Sequence, residues 1–343
     1  MIHSYAKPSL ELIPAAKKDN PKVPSTMPAM SSPARRAMTA LKYGLAVAVI
    51  VGVSLYFYRV LNDPAFLAGG FVVRTEYLVA AGLLYLMTHT LWGTFWWQLL
   101  RSQGAHVSWF QGIRAYYISQ LGKYIPGKVW VIVLRMGLLG GVVPRRVVAI
   151  TGVYETLTSM AAGGVIGAVL FPYLTGGQQV IPGGAMALGS VALVPVVAVG
   201  LNRFAARVLA KRKGADAPAL PVPPVWLLAV GLLQASVGWC LLAISLGLVM
   251  RGIAPVPPPW NVAAFVQELA ATTVMYVAGF VVLFAPGGVG ARELVLQQAL
   301  APVLRPAAGD AAEGLAAAVA IVLRLVWTVA ELLVIGIMAS FRK

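Results

Sequence analysis

Long apolar runs separated by short polar segments make up most of the chain after residue 40. A helix needs about 20 largely apolar residues to span a bilayer. Six runs meet this requirement, at roughly 41–61, 76–99, 147–172, 180–200, 225–250 and 312–340. The pattern therefore predicts an all-α polytopic membrane protein with about six full transmembrane helices.

Two further apolar regions are interrupted. In the first, pieces at about 107–123 and 128–140 are separated by Ile125-Pro126-Gly127. Each piece is too short to cross a bilayer. Because proline removes a backbone donor and glycine frees the dihedral angles, the chain is expected to turn at this break. The region therefore predicts a re-entrant helical hairpin that enters and leaves the membrane on one side.

The second interrupted region has pieces at about 260–284 and 291–304, separated by Pro286-Gly287-Gly288. It is either a full span followed by a half-helix or a second hairpin. We prefer the hairpin because it keeps all basic segments on one side of the membrane, although the first piece is long enough to cross. The prediction is then eight membrane segments, namely six spans and two broken hairpins.

The composition agrees with a membrane protein, with 59% hydrophobic and only 11% charged residues. The net charge of +16 would suggest nucleic acid as a partner of a soluble protein, but here it indicates cytoplasmic segments and anionic lipid. Most of the basic residues lie in the first 40 residues, in 101–146, in 201–224 and at the C-terminus. By the positive-inside rule, both termini are expected in the cytoplasm.

The chain divides into two predicted regions. Residues 1–37 are rich in Pro, Ser and Lys without apolar periodicity, so we expect a disordered cytoplasmic tail rather than a cleaved signal peptide. Residues 38–343 are expected to form a single transmembrane domain. Within it, residues 41–172 and 180–340 each read span, span, hairpin, span from opposite sides of the membrane, which predicts an inverted repeat.

A few charged residues lie inside or beside the apolar segments, where each needs a protein or water environment. The acids are Glu155, Glu268, Glu293 and Glu331, and the cations are Arg135, Arg292 and Arg324. Arg324 and Glu331 are two helical turns apart and share a face, which indicates either a buried tether between helices or a path for substrate or protons. Glu155 lies in a polar patch and could instead pair with Arg145 or Arg146 near the membrane surface.

The first break lies in a polar and aromatic run in which Lys123 and Lys128 flank Pro126-Gly127. An interfacial belt explains Tyr and Trp at this place, but lysines at a broken helix could also hold a lipid phosphate. We favour the binding site. Trp92, Trp96 and Trp97 are expected to be belt residues rather than ligand contacts.

Other chemistry is not indicated. One cysteine, Cys240, excludes an internal disulfide, and no Cys or His pair has zinc spacing. The chain has no Asp-x-Asp, His-Glu-x-x-His or Gly-x-Ser-x-Gly motif, so an enzyme, a metal and a cofactor are not expected. Asp310 with Glu313 has the spacing of a helix N-cap and its partner.

Both breaks carry motifs of a known family. The run Leu121-Gly122-Lys123-Tyr124-Ile125-Pro126-Gly127-Lys128-Val129-Trp130, followed by Arg135, resembles one signature of the lysylphosphatidylglycerol synthase transmembrane domain (flippase-like) family. The run Ala285-Pro286-Gly287-Gly288-Val289-Gly290-Ala291-Arg292-Glu293 resembles the other, and Arg324 matches an arginine of the last span. The resemblance covers about residues 41–340 and implies a lipid-translocating domain. We expect a stand-alone member without the aminoacyl-transferase domain.

The resemblance and the charges together predict a multi-pass lipid flippase of the bacterial plasma (inner) membrane. Its substrate would be an anionic, amino-modified or polyprenyl-linked lipid, and nucleic acid is not expected as a partner. The alternative is a non-transporting accessory subunit of an envelope-lipid (hopanoid or glycolipid) pathway, with a lipid-synthesis enzyme or a second copy as partner. The expected substrate-binding residues are Lys123, Pro126, Gly127, Lys128, Arg135, Glu155, Pro286, Gly287, Gly288, Arg292, Glu293, Arg324 and Glu331.

Overall fold

The computed structural model describes residues 51–52, 54–125, 129–174, 223–281 and 288–341. Within these ranges the regular structure is helical, and no strand occurs in them. Residues 54–61 are helical, and a short helix, Pro64–Gly69, follows. The later helices are α1 (Thr75–Ser102), α2 (Trp109–Ser119), α3 (Trp130–Leu139), α4 (Arg145–Leu170), α5 (Val225–Ile253), α6 (Val262–Val281), α7 (Ala291–Ala308) and α8 (Ala312–Ser340).

The predicted spans that fall in the described ranges are present as helices. Those near 76–99, 147–172, 225–250 and 312–340 correspond to α1, α4, α5 and α8. Only the end of the predicted span 41–61 is described, and it is helical. The predicted span 180–200 and the predicted tail 1–37 lie outside the described residues. The prediction of an all-α polytopic membrane protein is confirmed.

Both interrupted regions are pairs of helices joined at a break. In the first, α2 continues into a 3-10 turn, Gln120–Tyr124, before α3 begins. In the second, α6 has 20 residues, and it is long and apolar enough to cross a membrane. The two pieces of the second region are therefore not both short, unlike those of the first. In each half a long helix (α1, α5) precedes the broken pair and another long helix (α4, α8) follows it, as in the last three elements of the predicted order. The inverted repeat itself stays a prediction.

Small residues bring the long helices close together. Gly238 of α5 lies against Trp92 of α1, and the Thr88 hydroxyl donates to the Gly238 carbonyl at 3.2 Å. On the side of α5 that faces α4, Trp239 packs over Gly163 and donates from Nε1 to the Ser159 carbonyl at 2.9 Å. Because a side chain at either glycine would overlap the indole, the glycines set the spacing of these helices.

The chain reverses direction between α7 and α8. Gly309 has a φ of +54°, which favours glycine, and the 3-10 turn Gly309–Ala311 leads into α8. The prediction that Asp310 caps this helix is wrong, because α8 begins after Ala311 without a side-chain cap. Glu313 instead forms an exposed ion pair with Arg305 at 3.7 Å.

Candidate functional site

The first break carries Lys123 into the protein. Ser108 caps α2, since its hydroxyl accepts from the Gln111 backbone N–H at 3.2 Å and the Gln111 side chain accepts from the Ser108 backbone N–H at 3.1 Å. At the other end, Gly122 lies so close to the start of α3 that a Cβ there would overlap the Val131 backbone. The 3-10 turn therefore packs tightly on α3, and the next residue, Lys123, lines the interior cavities.

The second break places Arg292 and Glu293 in the first turn of α7. Gly288 and Gly290 precede them with φ values of +71° and +89°, a conformation that L side chains rarely adopt. The Gly290 backbone N–H donates to the Glu293 carboxylate at 2.6 Å, which stabilises the start of the helix. The backbone turn thus fixes the direction of both charged side chains.

Helix α8 is bonded to both breaks. Glu331 forms an ion pair with Lys123 of the first break and accepts from the Tyr85 hydroxyl at 2.7 Å. Arg324, two turns earlier, donates to Glu293 of the second break at 2.6 Å. The prediction that Arg324 and Glu331 share a face is confirmed, because both line one cavity. They pair with the breaks rather than with each other.

Two cavities adjoin at these ion pairs. The small cavity has a volume of about 40 Å³, and its charged lining consists of Lys123, Arg292, Glu293, Arg324 and Glu331. The large cavity has a volume of about 360 Å³, and its charged lining consists of Lys123, Arg135, Glu155 and Arg292. Lys123, Tyr276 and Arg292 line both cavities. The predicted cations of the two breaks therefore meet at one place.

The large cavity combines charged and apolar walls. Aliphatic side chains of α3 and α4, among them Ile132 and Leu157, line it beside the charged groups. Ile125 and Val129, which flank the first break, also line it and are exposed. The cavity wall thus extends from buried charges to the surface, which is the chemistry that an amphiphile requires.

Arg135 and Glu155 form a buried ion pair of 2.9 Å between α3 and α4. The Arg135 guanidinium also lies over the rings of Trp96 and Tyr116, at 4.5 and 4.4 Å from their centroids. The alternative pairing of Glu155 with Arg145 or Arg146 is therefore wrong. The expectation that Trp92 and Trp96 belong to an interfacial belt is also wrong, because both are buried in the core.

Arg292 differs from the other cations of the cavities. Its guanidinium lies 3.9 Å from the centroid of the Tyr276 ring, and no carboxylate of the described residues forms an ion pair with it. Its Nε has no hydrogen-bond partner among those residues. Lys123, Arg135 and Arg324 each have a carboxylate partner.

Five of the predicted site residues lie outside the described residues, namely Pro126, Gly127, Lys128, Pro286 and Gly287. The remaining eight lie at the two cavities: seven charged residues form their lining, and Gly288 lines the large cavity. In the described part of the chain, no group of three or more His, Cys, Asp or Glu side chains has the arrangement of a metal site.

A comparison with known protein families identifies the family of the chain. Residues 43–337 match the model of the family described as lysylphosphatidylglycerol synthase TM region. The chain belongs to this family. A comparison with curated proteins finds no match. The resemblance inferred from the two break motifs is thus confirmed over nearly the whole described domain of this family member.

In this member of the lysylphosphatidylglycerol synthase TM region family, several site residues were not predicted. Tyr85, Tyr116 and Tyr276 hold or cover the charged groups, and His89 lines the large cavity. Tyr85, His89 and Tyr276 lie within ordinary helical stretches, so no local pattern distinguishes them from core residues. Tyr116 opens the polar and aromatic run before the first break, but it was not named as a site residue. The only sequence signal for these residues is the polar group that each brings into an otherwise apolar stretch.

One buried pair lies apart from the cavities. Glu268 of α6 pairs with Arg251 at the end of α5 at 2.6 Å, and Arg251 also lies 3.6 Å from the centroid of the Trp260 ring. Arg251 was not among the predicted site residues, because it stands at the polar end of a long apolar run. Arg251 further donates to the Pro259 carbonyl at 2.7 Å, so this pair joins α5 to the segment before α6.

Proposed function

We propose that this protein moves a lipid with an anionic headgroup between the two leaflets of the bacterial plasma membrane. The observation that carries the proposal is the large cavity, where an apolar wall that reaches the surface adjoins a cluster of buried charges. The charged end would hold the headgroup, while the apolar wall would accommodate the beginning of the acyl chains. A membrane domain of a family named for a lipid synthase supports a lipid as the ligand.

The ion pairs on α8 supply a route for the movement. Opening the small cavity separates α8 from the first break, the second break or both, and each separation breaks one pair, Lys123 with Glu331 or Arg324 with Glu293. A headgroup phosphate that replaces a carboxylate as the partner of Lys123 or Arg324 would offset this loss. In this proposal the lipid exchanges one charge partner for another as it passes.

The topology in this proposal follows the basic segments. Both termini face the cytoplasm, and the protein acts as a transporter rather than as an enzyme. Reporter fusions at each terminus test the orientation, and a periplasmic signal from either fusion contradicts it. Its partners are anionic membrane lipids, with a lipid-synthesis enzyme or a second copy as further candidates.

Transport is tested with the full chain reconstituted in liposomes that contain a fluorescent anionic lipid, by bleaching the outer leaflet. Replacing both Arg292 and Arg324 by Ala removes two cations of the small cavity, and we expect scrambling to fall at least about tenfold. The matched control replaces Arg305 and Glu313 by Ala, because this pair is exposed and lies on the same two helices.

Unchanged scrambling by the Arg292→Ala, Arg324→Ala double variant would exclude the proposed site. Absence of scrambling by the wild-type protein, together with co-purification of a lipid-synthesis enzyme, would favour the accessory role instead.

A further inference from the structure

The side chain of Arg292 is held at the junction of the two cavities by its surroundings. It crosses Gly279 of α6, where a Cβ would overlap its side chain, and a Cβ at Gly288 would lie 2.9 Å from its Nε. The Tyr276 ring covers one face of the guanidinium. Two glycines and an aromatic ring therefore keep a cation in place without a carboxylate partner among the described residues.

The charges of the cavities leave one cation uncompensated. In the small cavity, Glu331 balances Lys123 and Glu293 balances Arg324, so Arg292 remains. In the large cavity, Lys123 is again balanced by Glu331 and Arg135 by Glu155, so Arg292 remains there as well. Each cavity, considered separately, lacks the same single negative charge.

We propose that Arg292 is the phosphate-binding residue of this site and that the site selects lipids with a single phosphodiester. This inference rests on the proposed lipid transport and narrows its substrate class. A phosphodiester carries one negative charge and neutralises Arg292. A phosphomonoester or a diphosphate brings further negative charge into a place where every other described cation already has a partner, and an uncompensated buried charge is costly.

The geometry of the guanidinium agrees with this role. Its planar donors suit the oxygens of a phosphate, and no carboxylate of the described residues forms an ion pair with them. The first turn of α7, which contains Arg292, also has backbone N–H groups and a helix dipole that favour an anion. Lys123 and Arg324 then act as members of ion pairs that position the breaks, rather than as the resting phosphate ligands.

The test is calorimetric binding to the full chain in a non-ionic detergent at pH 8. The probes are dihexanoyl phosphatidylglycerol, which has one phosphodiester, and dihexanoyl phosphatidic acid, whose phosphomonoester carries nearly two charges at this pH. The wild-type protein is expected to bind the first at least about tenfold more tightly than the second. Equal affinities, or a preference for phosphatidic acid, would overturn the selectivity.

Variants assign the selectivity to its residue. Arg292→Gln is expected to lose about tenfold or more of the affinity for phosphatidylglycerol, whereas Arg292→Lys, which keeps the charge but loses the planar donors, is expected to lose clearly less than Arg292→Gln. Arg305→Gln, on the same helix but exposed, is the control and should bind as the wild type does. Unchanged binding by Arg292→Gln refutes the inference.

A variant with one more unpaired cation in the large cavity should change the preference between the two lipids. Glu155→Gln leaves Arg135 without its carboxylate and adds a second uncompensated cation to the large cavity. The preference is then expected to shift at least about fivefold towards phosphatidic acid, and a preference unchanged from wild type contradicts the charge argument. If this variant does not fold, the Arg292 series alone decides.

Two further measurements distinguish failure of this inference from failure of the proposed lipid transport. Glycerophosphoglycerol, which has the same phosphodiester without acyl chains, should bind at least about tenfold more weakly than the lipid, and equal binding would show that the occupant is not a lipid. Binding does not depend on transport. If Arg292→Gln loses phosphatidylglycerol binding but the wild-type protein does not scramble lipid, only the proposed transport is refuted. If the wild-type protein scrambles lipid but Arg292→Gln binds phosphatidylglycerol unchanged, only this inference is refuted.

Discussion

The buried pair of Arg135 and Glu155 allows a quantitative prediction, because the two residues have unequal surroundings. Their side chains are 2% and 5% exposed, and the pair is 2.9 Å long. In the Arg135→Gln variant the Glu155 carboxylate retains only neutral donors, the Tyr116 hydroxyl at 3.3 Å and the Thr156 hydroxyl at 3.5 Å. Because a buried charge then loses its counterion, we expect a loss of about 3–5 kcal/mol of unfolding free energy.

The reverse substitution should cost less. In the Glu155→Gln variant, Arg135 still lies over the rings of Trp96 and Tyr116, and desolvated cation–π contacts are worth up to about 2 kcal/mol each. The amide oxygen also still accepts from the guanidinium. We therefore expect a loss of about 1–2 kcal/mol, which is clearly smaller than that of Arg135→Gln.

The double variant completes the cycle. Replacing both residues by Gln leaves no buried charge, so its cost should be about 1–2 kcal/mol, well below the sum of the single variants. Unfolding can be followed by tryptophan fluorescence during titration with sodium dodecyl sulfate in mixed micelles, since the chain has nine tryptophans. Equal costs for the two single variants, or a double variant equal to their sum, would refute the reasoning.

The buried pair of Arg251 and Glu268 provides a control that separates a loss of stability from a loss of binding. Arg251→Gln removes the partner of Glu268, which is 3% exposed. It should therefore destabilise the protein by about 3–5 kcal/mol, as Arg135→Gln does. Since this pair lies away from the cavities, the folded variant should bind phosphatidylglycerol as tightly as the wild type does. Weaker binding by folded Arg251→Gln would show that stability, rather than the site, governs the affinity.

Three further variants test packing and hydrogen bonding. Gly163→Ala places a Cβ 2.5 Å from the Trp239 ring and should lower the unfolding free energy by about 1–3 kcal/mol. In the control Gly336→Ala no atom lies within 4 Å of the new Cβ, so the unfolding free energy should rise by up to about 1 kcal/mol. An equal effect of the two substitutions would contradict the close packing at Gly163. Tyr85→Phe removes the hydroxyl that donates to Glu331 and should cost about 1–3 kcal/mol in the same titration, so an unaltered midpoint argues against this hydrogen bond.

Much of the architecture was accessible from local sequence. The length of an apolar run determines whether a helix can cross a bilayer, and α1, α4, α5 and α8 appear where such runs were found. Proline and glycine act on the backbone where they stand, so both breaks were located as well. A charge inside or beside an apolar segment needs a protected environment wherever its partner is, which is why six charged site residues could be named before their partners were known. Lys123 and Lys128 were named because they flank a broken helix.

The partners themselves were decided by tertiary structure. Arg324 pairs with Glu293, 31 residues away, and Lys123 with Glu331, 208 residues away, although Arg324 and Glu331 share a helix face. The sequence alone indicated that Arg324, Glu293 and Glu331 need a protein or water environment and that Lys123 lies at a break. Which cation meets which carboxylate depends on how the helices cross, and close contacts such as Gly163 against Trp239 set that crossing without any periodic signal in the chain. For the same reason only the fold revealed that Arg292 has no carboxylate partner among the described residues.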